Sequence, residues 1–250
     1  MTQLDAYKLK VIALFAMFTN HMVIAWWLLI PLELAFPMYG IGGLTFPIMA
    51  FFVVEGYRHT SNFKRYILRI LLVGVIATPF HYLTLGRALA PSLNIMFTIA
   101  LSLGVLVLYD KIKYRAVFWT VLIFVVVPLS LFFEWSLPGV FMVLLFHIIK
   151  REKLRRILPP IMAVVINLAL SLVYLIPGME LPAMGGLMSD VMFGYVSLTF
   201  MLGMLLAPVL LLRYNGERGP NTKVAKWMFY VFYPLHLAVL ALGMPAFGYY

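Results

Sequence analysis

The chain contains no cysteine, which excludes disulfides, thiolate catalysis and Cys-ligated metal centres. It is poor in charge as well. Asp, Glu, Lys and Arg make up 11% of its 250 residues, against about 25% in a soluble domain. Acidic residues are the scarcest, 9 beside 19 Lys and Arg. With so few carboxylates in the apolar runs and no histidine pair at ligand spacing, no metal is expected. There is no glycine-rich phosphate loop, no GxSxG turn and no internal repeat. The missing repeat counts against the inverted-repeat transporters.

What remains is apolar. Hydrophobic residues are 64% of the chain and the mean hydropathy is +1.00. Too little polar surface is left to cover a globule, while many stretches are long enough to span a bilayer. The expected fold is therefore all-α, a polytopic membrane bundle in one domain over 1–250. About nine spans are expected: 7–30, 36–57, 66–86, 94–110, 116–133, 137–150, 158–177, 190–213 and 225–248. The runs are too long for barrel strands and do not alternate. The first run is long and no small-residue cleavage site follows it, so it is expected to stay as an uncleaved anchor.

The formal charge of +10 would suggest nucleic acid in a soluble protein. Here it follows from topology, and no nucleic-acid partner is expected. With these spans, every Lys and Arg except Arg87 falls on one side. The positive-inside rule makes that side the cytoplasm and places the protein in the cell membrane, N-terminus inside. The other side carries Glu33, Glu134, Glu180, Asp190 and a longest loop over about 177–189.

Lys10 and His21 lie in the first run, about 16 Å apart on one helix face. A histidine within an apolar span suits either an interhelical hydrogen bond or a general base or nucleophile. Thr19 and Asn20 beside it can supply polar contacts. Lys10 can snorkel to headgroups or bind an anion. In the stretch from Glu55 to Arg69, Arg65 and Arg69 point the same way, as suits phosphate or a simple positive-inside anchor. Thr60, Ser61 or Asn62 can cap the third span. Glu55 can pair with Lys10, Arg58 or Arg69, and Pro47 is expected to kink the second span. Asn94 reads as a helix cap. His236 follows Pro234 in the last span, where it and Tyr233 can line a polar cavity or simply pack. His81 and His147 read as structural.

The ordered set of motifs resembles the TraX family, named after the factor that acetylates conjugative pilin. It comprises Lys10, Asn20-His21, Phe46-Pro47-Ile48, Glu55-Gly56 and His59-Thr60-Ser61-Asn62. Lys64-Arg65-Tyr66 with Arg69, Asn94 with Phe97-Thr98, and Tyr230 to Leu237 complete it. More distantly, the basic residue and histidine of the first span and the arginine pair of the third are similar to the membrane acyltransferase-3 superfamily. Asn20 stands where the family is expected to have an acidic residue, and the Arg65/Arg69 spacing is one residue wider than the usual arginine motif.

The resemblance implies a membrane acetyltransferase that takes its acetyl group from cytoplasmic acetyl-CoA. His21 would be the base or acyl carrier, with Lys10, Arg58, Arg65 and Arg69 on the donor side. Asn20, Glu55, Asn94, Tyr233 and His236 would support the reaction or line the acceptor side. The acceptor would be an amine or hydroxyl of a peptide, sugar or lipid, with membrane lipid as surroundings. A non-enzymatic chaperone or scaffold for a secreted peptide is the alternative, and a small-solute transporter a third.

Overall fold

The apolar runs fold as helices. The computed structural model describes residues 3–27, 29–85, 92–173, 190–220 and 222–243. Among these the chain is all-α, with two isolated bridges, Leu4 to Tyr214 and Leu93 to Phe133. In order come α1 (Ala6–Ala25), α2 (Leu32–Gly42), α3 (Thr45–His59), α4 (Phe63–Leu85), α5 (Ile95–Lys111) and α6 (Arg115–Val121). Then follow α7 (Val127–Ser130), α8 (Ser136–Ile148), α9 (Glu152–Val173), α10 (Asp190–Leu212) and α11 (Lys223–Gly243). A π-helical turn, Leu122–Val126, joins α6 to α7. The expected loop at 177–189, Arg87 and the end of the ninth run lie outside the described residues.

Among the described residues, four helical stretches are long and apolar enough to cross a membrane: Ala6–Ala25, Leu32–His59, Phe63–Leu85 and Tyr195–Leu212. Large apolar side chains such as Phe15, Leu72, Phe124 and Leu206 point outward. Such a surface suits hydrocarbon rather than water.

Two boundaries depart from expectation. α1 stops at Ala25, because Trp26 leaves helical geometry with φ −121° and the chain turns ahead of Pro31. His21 therefore sits towards the end of α1 remote from Lys10. The second run bends at Gly43–Leu44, where short bonds from Gly43 N–H to Gly40 and Leu44 N–H to Ile41 tighten the turn. Pro47 explains the place: it has no N–H to offer the Gly43 carbonyl.

α1 packs against α2, α3, α4 and α11. Its N-terminus is capped by Asp5, whose carboxylate accepts from Lys8 N–H at 2.8 Å. α2 and α10 approach backbone to backbone, because a Cβ on Gly203 would run into the Gly40 carbonyl. α4 and α11 are tied by Thr84, whose hydroxyl donates to the Leu237 carbonyl at 3.0 Å.

The basic residues gather at one end, where a latch joins α3, α8, α9 and α10. Arg155, 4% exposed, donates to Glu55, to Glu152 at 3.0 Å and to the Phe146 carbonyl at 2.9 Å. Arg156 donates to Glu152 and to the carbonyls of Leu211 and Tyr214. Of the partners expected for Glu55, only Arg58 is in place, at 3.8 Å. The partner from outside that set is Arg155, 100 positions away.

Candidate functional site

α1 packs against α11, and the two helices bring two buried imidazoles together. His21 Nδ1 lies 2.8 Å from His236 Nε2, and the rings are 15° from parallel. His236 is held on its other side as well: its Nδ1 is 2.9 Å from the Phe232 carbonyl. A carbonyl only accepts, so His236 Nδ1 carries a hydrogen and donates it. In the neutral ring Nε2 is then the acceptor, and the hydrogen of the 2.8 Å contact belongs to His21 Nδ1. His21 Nε2 is left with its lone pair and has no hydrogen-bond partner among the described residues. That is the tautomer a base or nucleophile needs.

Further polar groups are buried around this pair. Tyr233, one turn before His236, is 1% exposed, and among the described residues its hydroxyl has no close side-chain partner, only the Ile95 N–H within reach. Asn20 packs its side chain against Gly42 of α2, and its amide nitrogen has no partner among the described residues. His81 of α4 is 4% exposed, stands within electrostatic reach of His21, and places Nε2 3.4 Å from Glu134. Glu134 in turn accepts from Ile95 N–H at 2.8 Å. Asn94 is spent on architecture: it caps α5 through Met96 N–H and donates to Gly74 O and Thr78 Oγ1 of α4.

At the basic end, Thr60, Ser61, Asn62, Arg65, Leu68 and Arg69 line an open groove of about 430 Å³. Asn62 caps α4 by accepting from Arg65 N–H at 2.9 Å. No carboxylate pairs with Arg65 or Arg69 among the described residues. Arg69 lies over the Tyr230 ring at 5.7 Å. Lys10 is half-buried between the rings of Phe52 and Phe229, at 5.0 and 5.3 Å. That desolvated cation–π arrangement is worth about 2 kcal/mol. Arg58 does not line the groove; it donates to the His147 carbonyl at 2.9 Å and sits by Glu55.

Phe229, Tyr230, Tyr233 and His236 recur at helical spacing along α11, which therefore runs from the groove to the histidine pair. Sequence reasoning passed over two members of the distant cluster, His81 and Glu134. Glu134 carried a usable signal as a lone carboxylate between two strongly apolar segments. His147, read as structural, is tied to α5: its Nε2 and the Tyr57 hydroxyl both donate to Asp110, at 2.8 and 2.7 Å. Among the described residues, no group of three His, Asp or Glu side chains is placed to hold a metal ion.

No solved structure matches the chain. It is similar to the probable fimbrial assembly protein FimC, serogroup H1, of Dichelobacter nodosus, at 29% identity over 94% of each chain. The TraX protein family profile matches residues 5–243, a stretch that contains the histidine pair, Glu134 and the arginine groove. This is a membrane protein, and it belongs to the TraX family.

Proposed function

We propose that the protein is an acetyltransferase of the cell membrane, moving acetyl from cytoplasmic acetyl-CoA to an amine or hydroxyl of a peptide, sugar or lipid. In this reading the chain crosses the bilayer about nine times, with its N-terminus and basic end in the cytoplasm. The observation that carries the reading is the His21 tautomer, with His236 fixing the Nδ1 hydrogen so that Nε2 is free to act. The similarity to a fimbrial assembly protein is consistent with modification of a secreted subunit.

Acetyl-CoA supplies an activated thioester. The groove fits its phosphates, because two guanidiniums without carboxylate partners stand there on one helix face. Lys10 lies between the groove and His21, about 16 Å from the latter along α1, a reach that suits the pantetheine arm. His21 Nε2 takes the proton from the acceptor as its nitrogen or oxygen attacks the thioester carbon. The C–S bond breaks, and His21 returns that proton to the departing thiolate. While His21 is cationic, His236 Nε2 accepts a charge-assisted bond from Nδ1–H and holds the ring in place. An acetyl group carried briefly on Nε2 is the other route open to the same lone pair.

The test uses purified protein, acetyl-labelled CoA and candidate acceptors. His21→Ala should abolish transfer in a sample that keeps its thermal stability; unchanged transfer would end the catalytic assignment. The similarity to a fimbrial assembly protein also suits a non-enzymatic assembly factor. In that case acetyl-CoA would leave the melting temperature of the wild type unmoved, and no acceptor would be labelled.

A further inference from the structure

His81 and Glu134 take no part in the scheme above, yet both are buried beside its centre. The Glu134 side chain is 12% exposed. Its one firm hydrogen bond is from Ile95 N–H, at the start of α5. An amide oxygen would serve that bond equally well without bringing a charge into the bundle. No Lys or Arg pairs with Glu134 among the described residues. The titratable groups facing it are His81 of α4, Tyr39 of α2, and Tyr233 and His236 of α11. His81 Nε2, though 3.4 Å away, is off the hydrogen-bond line and has no other partner among the described residues. The Tyr233 hydroxyl is likewise buried, and the backbone group within its reach is the Ile95 N–H that already serves Glu134. Such unsatisfied groups in one place call for an explanation beyond packing.

We propose that Glu134, with His81, is a second base, taking the proton that an ammonium acceptor must shed before it can attack. This rests on the acetyltransferase reading. A free α-amino group has a pKa of about 7.7–8.0, so it arrives at neutral pH mostly as R–NH3+, with no lone pair to donate. Two protons must leave it for each turnover. The first goes to the Glu134 carboxylate and is released to solvent at the end of the bundle remote from the groove, by way of His81. The freed lone pair then attacks the thioester carbon. The second proton goes to His21 Nε2 and on to the departing thiolate. The balance is R–NH3+ plus acetyl-CoA giving R–NH–CO–CH3, CoA–SH and one H+. A nucleophile that is already neutral needs His21 alone.

The experiment compares wild type with Glu134→Gln, which keeps an oxygen for Ile95 N–H and removes the base. Transfer is measured from about pH 6 to about pH 9 with two acceptors: a short peptide with a free N-terminus, cationic over the lower part of that range, and an acyl hydrazide, neutral throughout. On the peptide, Glu134→Gln should be about twentyfold slower near pH 6.5, where only about 5% of an α-amine is neutral, and should converge with wild type near pH 9. On the hydrazide it should match wild type. His81→Gln should show the same acceptor selectivity with a smaller loss, and it carries the test if Glu134→Gln fails to fold. Equal losses on both acceptors, or none on the peptide, would overturn the proposal and leave His21 untouched. A wild type that labels no acceptor would instead overturn the acetyltransferase reading, and this proposal with it.

Discussion

His21 Nδ1 and His236 Nε2 meet at 2.8 Å across α1 and α11, although 215 positions separate them in the chain. The contact joins a donor to an acceptor and so decides which nitrogen of His21 is available. A buried imidazole beside an apolar residue would be free to choose either tautomer; this one is not.

Removing that partner should therefore impair the chemistry rather than the binding. His236→Ala is expected to lower kcat about a hundredfold with little change in KM for acetyl-CoA. His236→Gln offers an amide oxygen to His21 Nδ1–H and should recover part of the loss. Steady-state kinetics on the three proteins, with melting curves for folding, checks both statements. A loss confined to KM would remove His236 from the positioning role.

The arginine groove should behave in the opposite way. Arg69→Ala removes one charge-assisted contact to a phosphate, which at about 1.4 kcal/mol is roughly a tenfold rise in KM for acetyl-CoA. Turnover at saturating donor should change little. Lys113→Ala, on the turn between α5 and α6, is the charge-matched control and should leave both parameters alone.

The latch at the basic end holds four helices, so its failure should appear in stability. Arg155→Ala leaves Glu55, 23% exposed, with Arg58 alone beside it and should cost about 3 kcal/mol. Replacing both residues, as in Glu55→Leu with Arg155→Met, should cost less than Arg155→Ala alone. Thermal or denaturant unfolding in detergent measures the difference.

The same latch predicts a response to acid. Burial pushes the Glu152 carboxyl up, but the hydrogen bond from Arg156 and the charges of Arg155 and Arg156 outweigh it. Its pKa in the folded protein therefore stands below the ordinary 4.5. A depressed pKa means that the stabilisation is complete above the unfolded value and is lost as pH falls through the folded one. Glu152 is half-exposed, so the loss below about pH 4.5 should be no more than about 1 kcal/mol. It should be missing from Glu152→Gln when melting is followed between neutral and acid pH.

Two glycines separate close packing from mere permissiveness. A Cβ at Gly203 would strike the Gly40 carbonyl, and no rotamer change can relieve a backbone clash. Gly203→Ala should force α2 and α10 apart and cost about 1–3 kcal/mol. Gly104, within α5, has nothing within 4 Å of its would-be Cβ. Gly104→Ala should stabilise by about 1 kcal/mol through helix propensity alone. Paired melting curves test the contrast.

Much of the architecture is local, and local features are legible in a sequence. Apolar runs predict helices because every backbone polar group in hydrocarbon needs an internal partner. Asn94 was readable as a cap, because capping spans only two residues. Arg65 and Arg69 were readable as neighbours, because four positions make one helical turn. The bend ahead of Pro47 was nearly right, since proline acts on the turn before it. The end of α1 was not, because the helix stops where Trp26 leaves helical geometry, and that depends on where the chain must go next.

The sequence by itself determined that this is an all-α membrane protein with a histidine buried in its first helix and a basic face at one end. Those properties follow from composition and from spacings within single helices. Tertiary structure alone decided which residues act together. It brought Glu55 to Arg155, His81 to Glu134 and, above all, His236 to His21. Each pairing lies between helices far apart in the chain, and no helical period encodes which face of one helix meets which face of another. The Nε2 lone pair of His21 is a consequence of that packing: its hydrogen is placed by a residue on α11, and only the folded bundle brings α11 there.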